Sequence, residues 1–503
     1  MNESLAKISD LMLKRKIKMS ILSMYKLANQ NKTINQRIIM KRIFILAVII
    51  YLSAPNFAQL NLGPIVGAVT QNSAVILVKT YKPQTVQIEL FTQENPHPSI
   101  FSDTFTSDTS NYNYVKIPIV NLKPNTAYFY RAIVGGLKSK RWHSFKTFPE
   151  DKAYGFSFGF GSCQQSGYSK WNPEIFPVIA QDSLRFFIQI GDWTYLDSTE
   201  KKYGYRFNTS MDLIEKSYQS KYNYNYPFAS EVLSQMPVMY AYDDHDFAAN
   251  NPDGTDPAKQ NSLLGYKTFF PHYPLKNPDN GIWQSFNFGD VEFFILDCRS
   301  QRNINKNALD EHGNFSPPKK HSMLAGYEIN GENQLDWFMN ALKNSTAKWK
   351  VIVSTVLFNP SYAKVFQNAE LLKKYPWMKE DVIDKWAGFP HDLQLLFNTI
   401  KENNIKNILI ISGDSHSSYI DDGTNSVLPE ISASNLDVNN SLLHKKLEEG
   451  GINIWNRGTY NGNGHVYGKV SFIYADDDYA LLEIIDESGK SVVSYRLGVK
   501  QER

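Results

Sequence analysis

The sequence has few cysteines, little net charge and no long hydrophobic run. Its two cysteines, Cys163 and Cys298, exclude a small disulfide-rich scaffold and leave open a single bridge between them. A net charge of +3 over 503 residues is too small to indicate a nucleic-acid scaffold role. The longest apolar stretch, Ile43–Ala54, is shorter than the roughly 20 residues of a membrane-spanning helix. With 42% hydrophobic and 20% charged residues, the chain has an ordinary globular composition and room for two or three domains.

The basic residues of Met40-Lys41-Arg42 and the apolar stretch after them are typical of a secretory signal peptide. We expect this signal over residues 40–58, with cleavage after Ala58, and Met40 as the true start. Residues 1–39 are then an over-extended reading frame, and the alternative is an amphipathic N-terminal arm. The signal predicts an exported protein, either periplasmic, on the cell surface or secreted, with no stable membrane span.

Residues 60–148 have the pattern of a small β-sandwich. Short runs of alternating apolar residues recur there, separated by turn residues at sandwich-like spacing. Tyr128 follows a Pro-Asn turn and enters a strand, as does the tyrosine corner of immunoglobulin and fibronectin type III folds. We expect a sandwich domain that serves as a scaffold or a lid.

After a linker at 149–152, the pattern changes to strands that alternate with helices, over a domain predicted at 153–500. We expect helices near 332–343, 211–218 and 391–403, and a closing antiparallel meander after residue 470. The Tyr- and Asn-rich tract Tyr203–Phe228 indicates a loop over one face. The predicted strands are Phe156–Gly161, Arg185–Ile190, Val238–Tyr242, Val291–Leu296, Lys350–Thr355 and Asn407–Ile411.

Several of these strands are followed directly by polar side chains that bind metals or phosphate. Because the carboxyl ends of parallel strands meet at one edge of a sheet, we expect these side chains to lie close together. Each motif alone is weak, and their shared position makes the set informative. The residues are Cys163, Asp192, Tyr195, Asp243, Asp244, His245, Asp297, Arg299, Asp414 and His416.

The stretch Arg185–Tyr195 is the centre of this pattern. Its apolar run stops at Gly191, and Asp192 follows at once. Taken alone, an acid at this place is equally well a helix N-cap or a turn former. In the context of the other strand ends, we predict that Asp192 bridges two metal ions.

The ligand types indicate the metals and the chemistry. Carboxylates, an amide and a histidine suit hard or borderline divalent ions, and a thiolate with a phenolate suits Fe(III). Two cations that share a carboxylate can hold a phosphate ester and activate water for attack. His245 could then protonate the leaving oxygen, and Arg299 could pair with phosphate oxygens.

Together these motifs resemble the PhoD-like alkaline phosphatase family of the metallophosphoesterase superfamily, over roughly residues 60–500. The resemblance implies a four-layer α-β-β-α core preceded by the immunoglobulin- or fibronectin-like sandwich. The segments that carry it are Gly161–Gln164, Gly191–Tyr195, Asp243–Asp246 with Asn250, Asp297–Arg299, Asp384–Pro390 and Gly413–Ser417.

The resemblance also implies a centre that pairs Fe(III) with Ca(II), although other divalent cations would also suit the ligands. Asp192 would bridge the two ions, and Asp244 and His245 would lie near the substrate, with Asn251 as a one-residue alternative to the calcium ligand Asn250. The implied iron ligands are Cys163, Asp192, Tyr195 and His416, and the implied calcium ligands are Asp192, Asn250 and Asp414.

Simpler roles stay open for several of these residues. Cys163 could be bridged to Cys298, Tyr195 could be a packed aromatic, and His416 could be structural. Arg299 could neutralise a buried acid. The sequence Leu196-Asp197-Ser198 also departs from relatives that carry an acid and then a phosphate-binding arginine at this place.

The leading hypothesis is an exported metal-dependent phosphoesterase acting on monoesters, diesters or both. One alternative is a phosphodiesterase or phospholipase acting on lipids or cell-wall polymers. Another is a non-catalytic surface-binding protein whose metal site is vestigial. The sequence does not indicate an oligomeric state.

Overall fold

The structure is a computed structural model that describes residues 60–164, 174–195, 210–326 and 333–499. All of these lie in one compact unit, Ala58–Arg503. The predicted signal peptide, the segment 1–39, the departure at Leu196–Ser198 and residues 203–209 of the Tyr-rich tract lie outside the described residues. No helix among the described residues combines the length and the apolarity needed to cross a bilayer.

Two small antiparallel sheets form the N-terminal sandwich. One has the strand order β1-β2-β6, and the other has the order β4-β3-β7-β8, with β5 on β3 and β9 on β7. The Tyr128 hydroxyl accepts a hydrogen bond from the Lys123 backbone N–H at 2.9 Å, which is the bond of a tyrosine corner. The strands are β1 Leu60–Gly67, β2 Ala74–Thr80, β3 Thr85–Thr92, β4 Asn95–Phe101, β5 Phe105–Thr106, β6 Tyr114–Ile119, β7 Ala127–Val134, β8 Leu137–Lys138 and β9 His143–Lys146.

Two mixed sheets of six strands each form the core, and we call them the first and second core sheets. The first has the order β12-β11-β10-β19-β20-β21, and the second has the order β13-β14-β15-β16-β18-β17. Their strands are β10 Phe156–Gly161, β11 Phe187–Gln189, β12 Val238–Tyr240, β13 Gln284–Phe288, β14 Val291–Ile295, β15 Trp349–Val353, β16 Ile408–Ser412, β17 Ser418–Asp422, β18 Pro429–Ala433, β19 Val466–Ile473, β20 Tyr479–Asp486 and β21 Ser491–Gly498.

The parallel central strands explain the continuous apolar runs of the sequence. In β14, Phe293 points toward the first core sheet and meets Phe158 edge to face at a centroid distance of 5.2 Å. Its neighbour Phe294 points to the opposite face and packs on Phe338 of an outer helix. Because both faces of such a strand are buried, every position favours an apolar residue.

Helices cover the outer faces of the two core sheets, which gives four layers. The described α-helices are α1 Ile175–Gln181, α2 Met211–Lys221, α3 Asp244–Phe247, α4 Lys259–Phe269, α5 Gln334–Asn344, α6 Ala369–Lys374, α7 Met378–Asp384, α8 Pro390–Glu402 and α9 Leu443–Glu448. Short 3₁₀ helices span Thr109–Asn111, Asn305–Ala308, Pro360–Gln367 and Trp386–Gly388, and a π-helix spans Phe228–Leu233.

The predicted strands and helices are confirmed, with ends that shift by a few residues. The helix predicted near 211–218 is confirmed as α2, so the loop predicted over Tyr203–Phe228 is wrong at Met211–Lys221. The apolar side of α2, including Ile214 and Tyr218, is buried.

A buried acid lies in the second core sheet away from the strand ends. Glu430 of β18 is fully buried, and its Oε1 accepts hydrogen bonds from Ser412 Oγ at 2.6 Å and from the Phe358 N–H at 2.9 Å. Its Oε2 makes no hydrogen bond within the described residues. Burial raises the pKa of Glu430 from 4.5 to about 7.

We expect this carboxyl to make the protein less stable as the pH rises. Because the folded state holds the proton up to about pH 7 and the unfolded state releases it near 4.5, stability falls between these values by up to about 3 kcal/mol. Glu430→Gln should remove the part of the pH-dependent loss of stability that comes from this carboxyl. The free energy of unfolding of the variant should therefore exceed that of the wild-type protein by a margin that grows from pH 5 to 8. Urea titrations at several pH values measure it, with Glu448→Gln on the surface as the control. A margin that does not change with pH would contradict the expectation.

Candidate metal centre

The candidate site lies where loops from the two core sheets meet. Strands β10, β11 and β12 of the first core sheet and β16 of the second each end in polar residues that reach one cleft or its floor. The cleft has a volume of about 280 Å³. The residues that follow these strands are Cys163, Asp192, Asp243, Asp244, His245, Asp414 and His416.

A thiol, a phenol and an imidazole come together on one side of the Asp192 carboxylate. The Tyr195 hydroxyl donates to Asp192 Oδ2 at 2.7 Å and lies 3.0 Å from His416 Nε2. Cys163 Sγ lies 3.7 Å from the same Asp192 oxygen. Ligand atoms of Cys163, Asp192 and His416 all lie within 4.8 Å of one another, so the structure brings together the four predicted iron ligands.

Carboxylates gather on the other side of Asp192. Oxygens of Asp192, Asp243, Asp244 and Asp414 lie within 4.8 Å of one another. The first three residues are almost completely buried, and the side chain of Asp414 is 8% exposed. Asp192 Oδ1 accepts a hydrogen bond from the His245 backbone N–H at 3.3 Å. Asp192 Oδ2 therefore faces the thiol and the phenol, whereas Oδ1 faces the backbone of α3.

The backbone of this region adopts an uncommon conformation. Cys163, Asp192, Asp414 and His416 have φ values of 62°, 52°, 68° and 48°, in the left-handed region that non-glycine residues seldom occupy. Gly191 has a φ of 103°, and a Cβ atom there would lie 2.3 Å from Asp243 Cβ. Such strain is typical of functional sites, where the surrounding structure must hold it.

The protonation states of the thiol side show the cost of placing these groups together. Burial and then the nearby Asp192 raise the pKa of both the Cys163 thiol and the Tyr195 phenol well above their usual values. Burial, followed by the proximity of Asp244, raises the pKa of Asp192. Burial lowers the pKa of His416 to about 4, which keeps its imidazole neutral at pH 7.

On the carboxylate side, the pKa values of neighbouring acids shift in opposite directions. Burial raises the pKa of Asp414 to about 8, with Asp243 and Asp244 adding to the shift against the effect of Lys385. Although burial opposes its ionisation, His245 and Arg299 hold the pKa of Asp244 below its usual range. A bound cation would relieve the repulsion among these acids and favour their ionised forms.

Arg299 does not reach the cleft, which differs from its predicted contact with phosphate. It is fully buried, and its Nε and Nη2 donate to the two oxygens of Asp243 at 2.7 and 2.9 Å. Its Nη1 donates to Asp384 at 2.8 Å. This geometry matches the alternative role, the neutralisation of buried acids, because the guanidinium is already engaged on two carboxylates.

Lys385 is the only lysine or arginine that lines the cleft in the part of the chain described. Its ammonium group contacts Asp414 Oδ2, Asp384 Oδ2 at 3.2 Å and Asp381 Oδ1 at 3.5 Å. Three carboxylates therefore surround a group that has three N–H donors. The predicted motif included Lys385 and Asp384 but assigned them no role.

The remaining predicted residues lie as follows. Asn250 and Asn251 both line the cleft, so the choice of ligand between them stays a prediction. His245 also lines the cleft, and its ring lies 4.4 Å from that of Tyr195. Both cysteines are free and buried, which makes the alternative Cys163–Cys298 disulfide wrong.

Asp243 was assigned no role from the sequence. Its carboxylate is part of the acidic cluster and accepts hydrogen bonds from Arg299 and from Thr355 Oγ1, each at 2.7 Å. It stands in the run Asp243-Asp244-His245-Asp246, so the motif was visible. Nothing in the spacing tells which of three acids faces the cluster.

The donor set fits a pair of different cations. Thiol, phenol and imidazole are good donors to a transition metal such as iron, and the four carboxylates are oxygen donors that suit a hard divalent ion. Asp192 stands between the two sets. The raised pKa values of Cys163, Tyr195 and Asp414 are what an acidic ligand set shows in the absence of its positive charge.

Comparison with known proteins shows the family. The model of the PhoD-like phosphatase family matches residues 158–446, more than half of the chain, and a model called Domain of unknown function (DUF7800) matches residues 57–150. Alkaline phosphatase D of Bacillus subtilis (strain 168) is 26% identical over 331 residues, which cover 61% of this chain. The match spans 53%, about half, of that relative's length.

Solved structures agree on the fold. The structure of PhoD gives a TM-score of 0.61 at 17% identity and covers 90% of this chain and 94% of its own. A purple acid phosphatase from yellow lupin (Lupinus luteus) seeds gives 0.56 at 14% identity and covers 86% of this chain and 74% of its own. These similarities confirm the predicted four-layer metallophosphoesterase fold. With the family match, they confirm the resemblance read from the motifs: the chain belongs to the PhoD-like phosphatase family.

Proposed function

We propose that the protein is an exported, metal-dependent phosphoesterase that hydrolyses phosphate monoesters, diesters or both. The observation that carries this proposal is the meeting of a thiol, a phenol, an imidazole and four carboxylates at one cleft. Burying such a set without cations costs free energy. Two cations beside a cleft can hold a phosphate ester and activate the water that hydrolyses it. The proposal of export rests on the signal peptide that the sequence predicts at residues 40–58.

Cys163, Asp192, Tyr195 and His416 would hold Fe(III). Thiolate and phenolate ligands donate charge strongly, which favours this ion, and the neutral imidazole of His416 offers its nitrogen lone pair. Asp192, Asp414 and Asn250 would hold Ca(II) or another divalent ion through oxygen atoms. Asp192 would bridge the two ions, because its carboxylate belongs to both groups of candidate ligands.

Bound cations would neutralise the phosphate and activate the attacking water. His245, on the cleft wall, would give a proton to the leaving oxygen. Asp244 would keep His245 in place, since its Oδ1 accepts from the His245 backbone N–H at 2.8 Å. Arg299 and Lys385 are engaged on acids, so the substrate charge would depend on the bound cations and on His245.

Elemental analysis of purified protein together with enzyme assays tests the proposal. Asp192→Asn and Cys163→Ser should lower metal content and turnover together, turnover by about 100-fold or more, because the cations supply several kcal/mol of transition-state stabilisation. Cys298→Ser and the surface change Asp477→Asn are the matched controls. Normal activity in Asp192→Asn contradicts its bridging role, and protein that loads no metal and cleaves no ester favours the surface-binding alternative. Turnover of a chromogenic diester but not of a monoester would limit the activity to diesters.

A conservative change at Arg299 separates its two roles. Arg299→Lys keeps the charge but loses the paired bonds to Asp243, so we expect a loss of about 1–3 kcal/mol of stability and a lower metal content. The KM of metal-loaded molecules should stay within about twofold of wild type, because Arg299 does not contact the substrate in this account. Thermal unfolding and steady-state kinetics measure these effects, with Arg457→Lys on the surface as control. A raised KM with normal metal content would instead show that Arg299 binds phosphate.

A further inference from the structure

Helix α2 contacts the β-sandwich on one side. Lys79 of β2 places its Nζ 2.5 Å from Glu215 Oε1, and both side chains are less than a tenth exposed. The Tyr112 hydroxyl, which precedes β6, donates to Asp212 at 2.9 Å. Two polar bonds, one of them a buried ion pair, therefore join the sandwich to this helix.

Packing around α4 strengthens this junction. Tyr114 of the sandwich and Tyr218 of α2 both contact the ring of Phe269, with centroids 4.8 and 5.5 Å away. Gly265 of α4 lies so close to α2 that an added Cβ would be 2.4 Å from Ile214 Cγ2. The sandwich, α4 and α2 thus form one packed body.

The opposite side of α2 contacts the loop of the metal centre. Ser217 Oγ and Thr194 Oγ1 are 2.9 Å apart. Lys221 Nζ lies 2.8 Å from Asp246 Oδ1, and both side chains are only 2% exposed. Asp246 in turn accepts from the Trp193 backbone N–H at 3.2 Å.

Trp193 and Thr194 stand between two proposed ligands, Asp192 and Tyr195. Asp192 has a left-handed backbone, which the surroundings must hold in place. Asp246 also accepts from the Asp243 N–H at 3.3 Å, so the same carboxylate orients two of the loops that form the centre. Because Trp193 and Thr194 are each adjacent in sequence to a proposed ligand, a displacement of α2 would also move Asp192 or Tyr195.

We propose that the sandwich, the region matched by a domain of unknown function, holds α2 and that α2 holds the ligand loop, with Lys221 and Ser217 as positioning residues for the metal centre. The sandwich is then a support of the active site rather than an independent module. The inference rests on the proposed metal centre. Outer groups that orient metal ligands are known to contribute to both metal affinity and activity.

Co²⁺ binding provides a test that does not depend on turnover. The full-length protein is titrated with Co²⁺, and its visible absorption reports ligand geometry. In Lys221→Met we expect Co²⁺ affinity and kcat to fall by about 10-fold or more, with altered absorption bands and a KM close to wild type. Lys221→Arg, which keeps the charge, should restore part of the affinity.

A second pair of variants tests the role of the sandwich. Lys79→Met breaks the contact with α2 and should weaken Co²⁺ binding in the same direction, by about threefold to 10-fold. Lys138→Met is the matched control, because Lys138 is a half-exposed lysine of the same sandwich that pairs with Glu89. It should leave Co²⁺ binding and kcat unchanged. If Lys221→Met does not fold, Ser217→Ala tests the other contact of α2 with the ligand loop, at Thr194, and should shift the absorption bands.

The outcomes separate this proposal from the proposed function. Variants that lower the melting temperature but keep wild-type Co²⁺ affinity, spectrum and kcat would overturn the positioning role. Lys79→Met that behaves like Lys138→Met would overturn the role of the sandwich. If the expected Co²⁺ effects occur in a protein that cleaves no ester, the proposed function fails and the positioning role stands. Wild-type protein that binds no Co²⁺ would overturn both.

Discussion

The repulsion among buried acids at the junction of the two core sheets is the constraint on which the rest of the site depends. Asp192, Asp243, Asp244 and Asp414 bring their oxygens within 4.8 Å of one another, and the first three are almost completely buried. Arg299, from behind the cleft, and Lys385, on its wall, compensate part of this charge. Further positive charge is required if all four acids are ionised, and the neighbouring thiol, phenol and imidazole are further donors for it.

Much of the fold was predictable because both faces of the central strands are buried. The runs Phe293–Leu296 and Ile408–Ile411 are apolar throughout, and each stops at a polar residue. That pattern located the ends of the strands, and so the place where Cys163, Asp192 and Asp414 would meet. The family match later confirmed the resemblance drawn from these motifs.

Other features depend on contacts between residues far apart in sequence. Arg299 looked available for phosphate because its partners, Asp243 and Asp384, are 56 and 85 positions away. Helix α2 was predicted near 211–218, but the elements that it packs against were not. Its link to the sandwich through Glu215 crosses 136 positions, which no local pattern reports. Sequence periodicity describes one element at a time, whereas these bonds depend on how the elements pack.

Anomalous X-ray scattering from crystals of the purified, metal-reconstituted protein tests the central claim most directly. The account requires two metal peaks that share Asp192 as a ligand, roughly 3.5–4 Å apart. One should lie among Cys163, Tyr195 and His416, and the other beside Asp414. Crystals with no metal within bonding distance of Asp192 would contradict the account.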